Sequence, residues 1–206
     1  MTNCSVEGFD LNNPNQTVGT NIKIVSIQNS IAPGISGQNY MGENYVAGVV
    51  GQIQNCNVDQ LVYRGSENDI DIIRMAGHED PDSSFCGGII GLIKDNSNWP
   101  GDSVYVTNCR LYNANVLGEG TNMANVQNPD MYVGGIVGAC YKHDGTDGTN
   151  ISNCYVENST IEGIGNENLE VYVGGITGGV TWSGTLDVNS CYVYDTYIDA
   201  KANKNK

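Results

Sequence analysis

Residues 132–138 read YVGGIVG, and the chain returns to that pattern three more times: YVAGVVG at 45–51, FCGGIIG at 85–91 and YVGGITG at 172–178. Each copy sets an aromatic residue and a small apolar one before two small positions, two β-branched residues and a glycine. A second motif follows every copy: Asn55-Cys56-Asn57-Val58, Asn108-Cys109-Arg110-Leu111, Asn153-Cys154-Tyr155-Val156 and Ser190-Cys191-Tyr192-Val193. A further copy, Asn3-Cys4-Ser5-Val6, stands near the start with no glycine motif before it. Self-similarity of this kind marks a repeat architecture, in which one unit cannot bury its apolar face alone and neighbours stack to complete a core.

The local patterns predict what each unit contains. Val49, Gly51 and Ile53 of the first copy match Ile136, Gly138 and Cys140 of the third, a period of two that belongs to strands. An apolar residue stands seven positions after each cysteine: Leu11, Tyr63, Val116, Ile161 and Ile198. An odd offset cannot stay on one face of a straight strand, so the chain turns between the two sites. Three short strands per repeat follow, carrying the glycine motif, the cysteine motif and the later apolar residue. The expected fold is all-β, a parallel β-solenoid (β-helix) of about four three-stranded turns with inserted loops. We expect one repeat domain over 1–200, with a partial turn at 1–11, turns at 43–65, 85–120, 131–165 and 171–198, and a polar tail at 201–206. The stretches 12–42 and 66–84 read as inserts, each with a strand-like segment, IKIVSI at 22–27 and IDIIRM at 70–75. The asparagine before each cysteine is expected to stack into an amide ladder.

Composition agrees and narrows the possible partners. Gly is abundant at 27 of 206 residues and charged residues make up only 16%, which favours strands and tight turns over helices. The formal net charge of −14 would repel a phosphate backbone, so no nucleic acid is expected as a partner. No apolar run reaches the length of a membrane span. Met1-Thr2-Asn3 leads straight into a repeat motif without a signal-peptide pattern, as expected of a segment of something longer. Of seven cysteines, five share one repeat position; Cys86 replaces the valines 46, 133 and 173, and Cys140 replaces Ile53, Ile93 and Val180. Cysteine exchanging with small aliphatics reads as a buried free thiol. Stacked units also bring neighbouring cysteines within reach of a cross-turn disulfide.

The order GGIVG, variable loop, N-C-Y-V and a last strand ending in I-x-G resembles the GLUG-motif repeat. The match is best at 133–163, VGGIVGACYKHDGTDGTNISNCYVENSTIEG, good at 173–198 and looser at 46–63, where Ala47 replaces the first glycine. The resemblance implies a β-solenoid module of large bacterial surface or secreted proteins, among them adhesin-like proteins and immunoglobulin-A-cleaving peptidases. In those peptidases the repeat accompanies the catalytic domain and supplies none of the chemistry, so it brings no catalytic residues. An extracellular or cell-surface location follows from the same resemblance. The cysteine, where family members usually carry a small residue, is a departure from the pattern and sits less easily with a strongly oxidising location.

Catalytic motifs are absent. The two histidines, His78 and His143, belong to no HExxH, and neither GxSxG nor a phosphate-binding glycine loop occurs. The chain is therefore expected not to be an enzyme and to need no cofactor. Loops between the glycine and cysteine motifs occupy equivalent places, so in a solenoid they line one side. They carry Trp99 and Asp102, then Tyr141, His143 and Asp144, then Trp182. Aromatic faces beside carboxylates can hold a sugar ring, and the competing reading is that each tryptophan covers the edge of the core. Asp144 and Asp147, in DGTDG, could give oxygen ligands to calcium, or simply form a solvated acidic loop, as could HEDPD at 78–82. The expected function is a non-catalytic, adhesin-like structural or binding module directed at a host or cell-surface glycan or protein. The alternative is a self-assembling filament subunit, a homo-oligomer stacked end to end. A β-helix polysaccharide-degrading enzyme ranks third, because lysine and arginine are scarce.

Overall fold

Alternating apolar and polar residues, broken by glycine pairs and asparagines, produce a succession of short strands. The computed structural model describes residues 5–7, 23–27, 44–54, 56–65, 71–78, 83–95, 103–120, 130–142, 148–166, 169–182 and 185–203. Within them lie twenty-two strands and no helix. β1 (Ser5–Glu7) and β2 (Lys23–Ile27) come first. One pass of five follows: β3 (Asn44–Ala47), β4 (Val50–Gln54), β5 (Val58–Asp59), β6 (Val62–Arg64) and β7 (Asp71–His78). The second pass is β8 (Ser84–Gly87), β9 (Ile90–Asp95), β10 (Val104–Thr107), β11 (Arg110–Tyr112) and β12 (Ala114–Gly120). The third is β13 (Asp130–Gly134), β14 (Val137–Lys142), β15 (Gly148–Ser152), β16 (Tyr155–Glu157) and β17 (Thr160–Asn166). The fourth is β18 (Glu170–Gly174), β19 (Thr177–Trp182), β20 (Thr185–Asn189), β21 (Tyr192–Tyr194) and β22 (Tyr197–Asn203).

Each strand pairs in parallel with those five before and five after it, so the chain visits five sheets in a constant order. The all-β class and the parallel stacking of repeats match the expectation. The number of strands per repeat does not: it is five where three were expected. The glycine pair splits YVGGIVG into two strands, β13 and β14, and a separate strand, β15, precedes the cysteine. The two inserts also change status. Their strand-like segments are β2 and β7, regular members of the sheet that holds β12, β17 and β22.

The register explains why. Ile24, Ile73, Val116, Ile161 and Ile198 form one column in that sheet. The seven-residue rule thus holds for Val116, Ile161 and Ile198 and fails for Tyr63, which pairs with Val6 and Leu111 in the neighbouring sheet. In the first pass Gln60-Leu61, and not Asn55-Cys56, takes the place of Asn108-Cys109. Gln60 shares the left-handed backbone of Asn108 (φ 57° in both), and Arg110 donates its N–H to the Leu61 carbonyl at 2.9 Å. Leu61 is fully buried, whereas Cys56 lies upstream of β5 and is partly exposed. A leucine fills the apolar site at least as well as a thiol, which is why the local motif misleads here.

Inward residues of all five sheets merge into one apolar cluster that includes Ile136, Val106, Leu111, Val156 and Ile161. Each fully buried aliphatic side chain there contributes about 1.5–3 kcal/mol. None of the six described cysteines is in a disulfide, and Cys86, Cys109, Cys140 and Cys154 are buried. Cys86 pairs in register with Val46 and Val133, and Cys140 with Ile93 and Val180, as their substitution pattern implies. A smaller cluster of Phe85, Leu92, Tyr132 and Ala139 forms apart from the main core.

Two kinds of corner hold the passes in register. At Gly135 a side chain would run into the Gly175 carbonyl and come within 2.8 Å of Val156 and Ile161. Close approach there lets the ladder continue through the bend: Gly135 N–H reaches the Gly174 carbonyl at 3.2 Å, and Val137 N–H the Ile176 carbonyl at 3.0 Å. The second kind uses left-handed residues, Gln60, Asn108, Asn153 and Ser190 before one strand, and Asn113, Asn158 and Asp195 before the next. Asparagine and aspartate adopt that conformation more readily than other side-chain-bearing residues. An amide-to-amide bond occurs at the second corner, from Asn158 Nδ2 to Asn113 Oδ1 (2.7 Å), while Asn108 Nδ2 at the first donates to Asp59 Oδ1 (2.7 Å).

Candidate functional site

Parallel, in-register strands turn a repeated sequence position into a straight column of side chains on the outside of a sheet. β6, β11, β16 and β21 bury Tyr63, Leu111 and Val156 inward, with Val193 in the same column. Their outward positions form two columns: Val62, Arg110, Tyr155, Tyr192 and, beside it, Arg64, Tyr112, Glu157, Tyr194. Neighbours along a column are about 4.8 Å apart and the columns roughly 6.6 Å, so the side chains tile a flat surface.

The rings on that surface are ordered by one another. Tyr155 and Tyr192 stack with centroids 5.4 Å apart and planes within 16°. The guanidinium of Arg110 lies 5.3 Å from the Tyr155 centroid, and that of Arg64 lies 4.8 Å from Tyr112. Tyr192 and Tyr194 are 59% and 70% exposed, among the highest values for large apolar side chains, so these rings face solvent. Only three arginines occur in the chain, and two of them stand here. Tyr105, on the outside of β10 in the adjacent sheet, is also exposed, and its N–H donates to Asn57 Oδ1 at 2.9 Å. Flat aromatic faces flanked by guanidinium donors can stack on a ring and hydrogen-bond its substituents.

On the far strand of the next sheet, Lys201 pairs with Glu162 at 2.5 Å and Asp199 at 3.2 Å, and Tyr197 Oη donates to Asp199 Oδ2 at 2.8 Å. The bond to Glu162, with that to Asp199, holds the ammonium above its ordinary pKa. The bond from Tyr197, followed by that from Lys201, lowers the Asp199 carboxyl. One ammonium thus meets two carboxylates, and the cluster keeps a net negative charge.

The loop residues named from sequence divide between described and undescribed stretches. Trp99, Asp102, His143, Asp144 and Asp147 lie outside the described residues. The backbone of Trp182 ends β19, opposite Lys142. Tyr141 is half-buried beside the small Phe85–Tyr132 cluster, with the Lys94 ammonium 5.3 Å from its ring. Among the described residues no group of three or more His, Cys, Asp and Glu side chains is placed to hold a metal ion, and no helix is long and apolar enough to cross a membrane. The tyrosine–arginine face was available in the sequence: in Cys154-Tyr155-Val156 and Cys191-Tyr192-Val193-Tyr194 the tyrosines alternate with the apolar positions and so must point the other way. Comparison with protein-family models, curated proteins and solved structures finds no match in any of the three.

Proposed function

We propose that this chain is a non-catalytic binding module, a parallel β-solenoid of GLUG-type repeats with an adhesin-like role at a cell surface or outside the cell. Its ligand is a host or cell-surface glycan, held on the outer face of β6, β11, β16 and β21. The observation that carries this reading is the exposed stack of Tyr155 and Tyr192 with Arg110 over the first ring. Exposed aromatic rings cost solvation unless something covers them, and the C–H face of a sugar covers a ring while its hydroxyls or carboxylates meet the guanidinium. The constant five-sheet order, the repeat motifs and the acidic surface support a display scaffold over a catalytic one.

A glycan array probed with the whole chain tests the reading. Binding is expected for the parent and is expected to fall about tenfold in Tyr192→Ala and in Arg110→Ala, the effect of losing one stacking or charge-assisted contact. Trp99→Ala and Trp182→Ala separate the face from the loops. Loss of binding in the tryptophan variants alone moves the site to the loops, and no binding by the parent sinks the glycan reading altogether.

A further inference from the structure

The same register that builds the tyrosine face stacks three thiols behind it. Tyr155 donates its N–H to the Cys109 carbonyl and Tyr192 to the Cys154 carbonyl, both at 2.9 Å, so Cys109, Cys154 and Cys191 occupy one position in successive passes. Paired parallel strands lie about 4.8 Å apart, inside the range of about 4.4–6.8 Å that a disulfide spans between Cα atoms. The side chains share one orientation. Cys109 Sγ donates to the Thr107 carbonyl (3.4 Å), Cys154 Sγ to that of Ser152 (3.4 Å) and Cys191 Sγ to that of Asn189 (3.3 Å). Each later thiol also leans toward the pass before it: Cys154 Sγ lies 3.8 Å from the Val106 carbonyl, and Cys191 Sγ lies 3.5 Å from the Ile151 carbonyl. Cys109 and Cys154 are buried, while Cys191 is partly exposed.

We propose that Cys154 and Cys191 are a site of oxidative cross-linking, joined by a disulfide between two passes when the protein meets a peroxide. The partly exposed Cys191 reacts first. Its sulfur bonds to one peroxide oxygen, the O–O bond breaks, and the other oxygen leaves as water, so the thiol becomes a sulfenic acid. The Cys154 sulfur then attacks the Cys191 sulfur. The S–S bond forms, the S–O bond breaks, and the departing hydroxide takes the Cys154 proton and leaves as water. Two thiols are oxidised and one peroxide is reduced to two waters. Cys109, deeper in the column, stays a thiol. Contact with Cys109 and burial hold the Cys154 thiol protonated, which makes the second step the slower one. The bridge ties β16 to β21 directly beneath the stacked tyrosines and resists separation of the two passes.

Peptide mapping of the whole chain tests this after treatment with hydrogen peroxide, blocking of remaining thiols with a maleimide, and digestion without reductant. The expected result is a Cys154–Cys191 linked peptide, an intact mass lower by two hydrogens, and a higher melting temperature that a reductant reverses. Cys109→Ser is expected to keep the link, and Cys191→Ser, at the partly exposed end, to abolish it without loss of the fold. Recovery of Cys154 in blocked form, a link from Cys154 to Cys109 or to a cysteine off this column, or a link between two chains overturns the proposal.

Discussion

The hydroxyl of Tyr132 donates a hydrogen bond to Oδ2 of Asp130, two residues earlier on the same strand, at 3.1 Å. One pass on, Tyr172 donates to Oε2 of Glu170 at 2.5 Å. The two acids are in register and the two rings stack at 4.9 Å. Phe85 continues the ring column, 5.7 Å from Tyr132, and has no hydroxyl; the residue two before it is Ser83. The chain therefore places an acid two positions before the aromatic where that residue is a tyrosine, Glu43 before Tyr45 included, and a neutral residue where it is a phenylalanine. Burial first, then the charge of Glu170, raises the Asp130 carboxyl, while the bond from Tyr132 works the other way. Tyr172 is pushed up to about 12, chiefly because its hydroxyl is bonded to Glu170.

This arrangement predicts a pH dependence. A carboxyl whose pKa is higher in the folded state binds its proton more tightly there. Its contribution is complete below the unfolded value of about 3.9 and is lost as pH rises through the folded value. Asp130→Asn, permanently neutral and still an acceptor for Tyr132, is expected to melt with the parent near about pH 3 and above it near about pH 7. The gain stays under about 1 kcal/mol because the carboxyl is partly in water. Melting curves at matched ionic strength check it; a gap that does not grow with pH refutes it.

The glycine corners predict an asymmetry between neighbours. Gly135→Ala drives a methyl group into the Gly175 carbonyl of the next pass and against Val156 and Ile161, and is expected to cost about 3 kcal/mol or more. Gly134→Ala also crowds a carbonyl, that of Val137. Yet Ala47 occupies the equivalent position of the first pass, so that turn accommodates a methyl group. The second glycine is kept in all four copies, as Gly48, Gly88, Gly135 and Gly175. Urea titration of the two variants is expected to place Gly134→Ala well above Gly135→Ala in stability.

Register in the first pass is tested by a pair of substitutions. Leu61→Ala empties a fully buried site in the cysteine column and is expected to lose about 2–5 kcal/mol. Cys56→Ser, upstream of β5 and partly exposed, is expected to lose under about 1 kcal/mol. Chemical denaturation of both, compared with Cys154→Ser in the column proper, distinguishes this register from one in which Cys56 belongs to the column.

Asn153 stands at φ 53° and is exposed, so its value lies in the backbone. Asn153→Gly is expected to be close to neutral and Asn153→Ala to cost about 1–2 kcal/mol, the penalty for a side chain bearing Cβ in the left-handed region. Equal melting temperatures for the two variants would show that the corner does not depend on this conformation.

Periodicity carried far. The alternation in Val49-Gly51-Ile53 and the recurrence of YVGGIVG make strands and stacking legible, because both depend on which residues repeat and at what spacing. The exchange of Cys86 and Cys140 with valine and isoleucine reveals their burial for the same reason. The five-strand pass was not legible, since a strand as short as β5 leaves too little pattern to detect and a glycine pair looks the same inside a strand as between two. The tyrosine–arginine face was half legible: the tyrosines of C-Y-V-Y must face away from the core, but their assembly into columns with Arg64 and Arg110 depends on pairing across passes.

By itself, then, the sequence determined that this is an acidic chain of repeated strands, with small apolar residues directed inward. Those are properties of residues a few positions apart. Only the tertiary structure decided that Leu61 substitutes for a cysteine, that Ile24 and Ile73 belong with Val116, and that YVGGIVG is two strands meeting at a corner. Each of these is a choice of register between distant segments, set by which side chain fills the space left by the pass beside it.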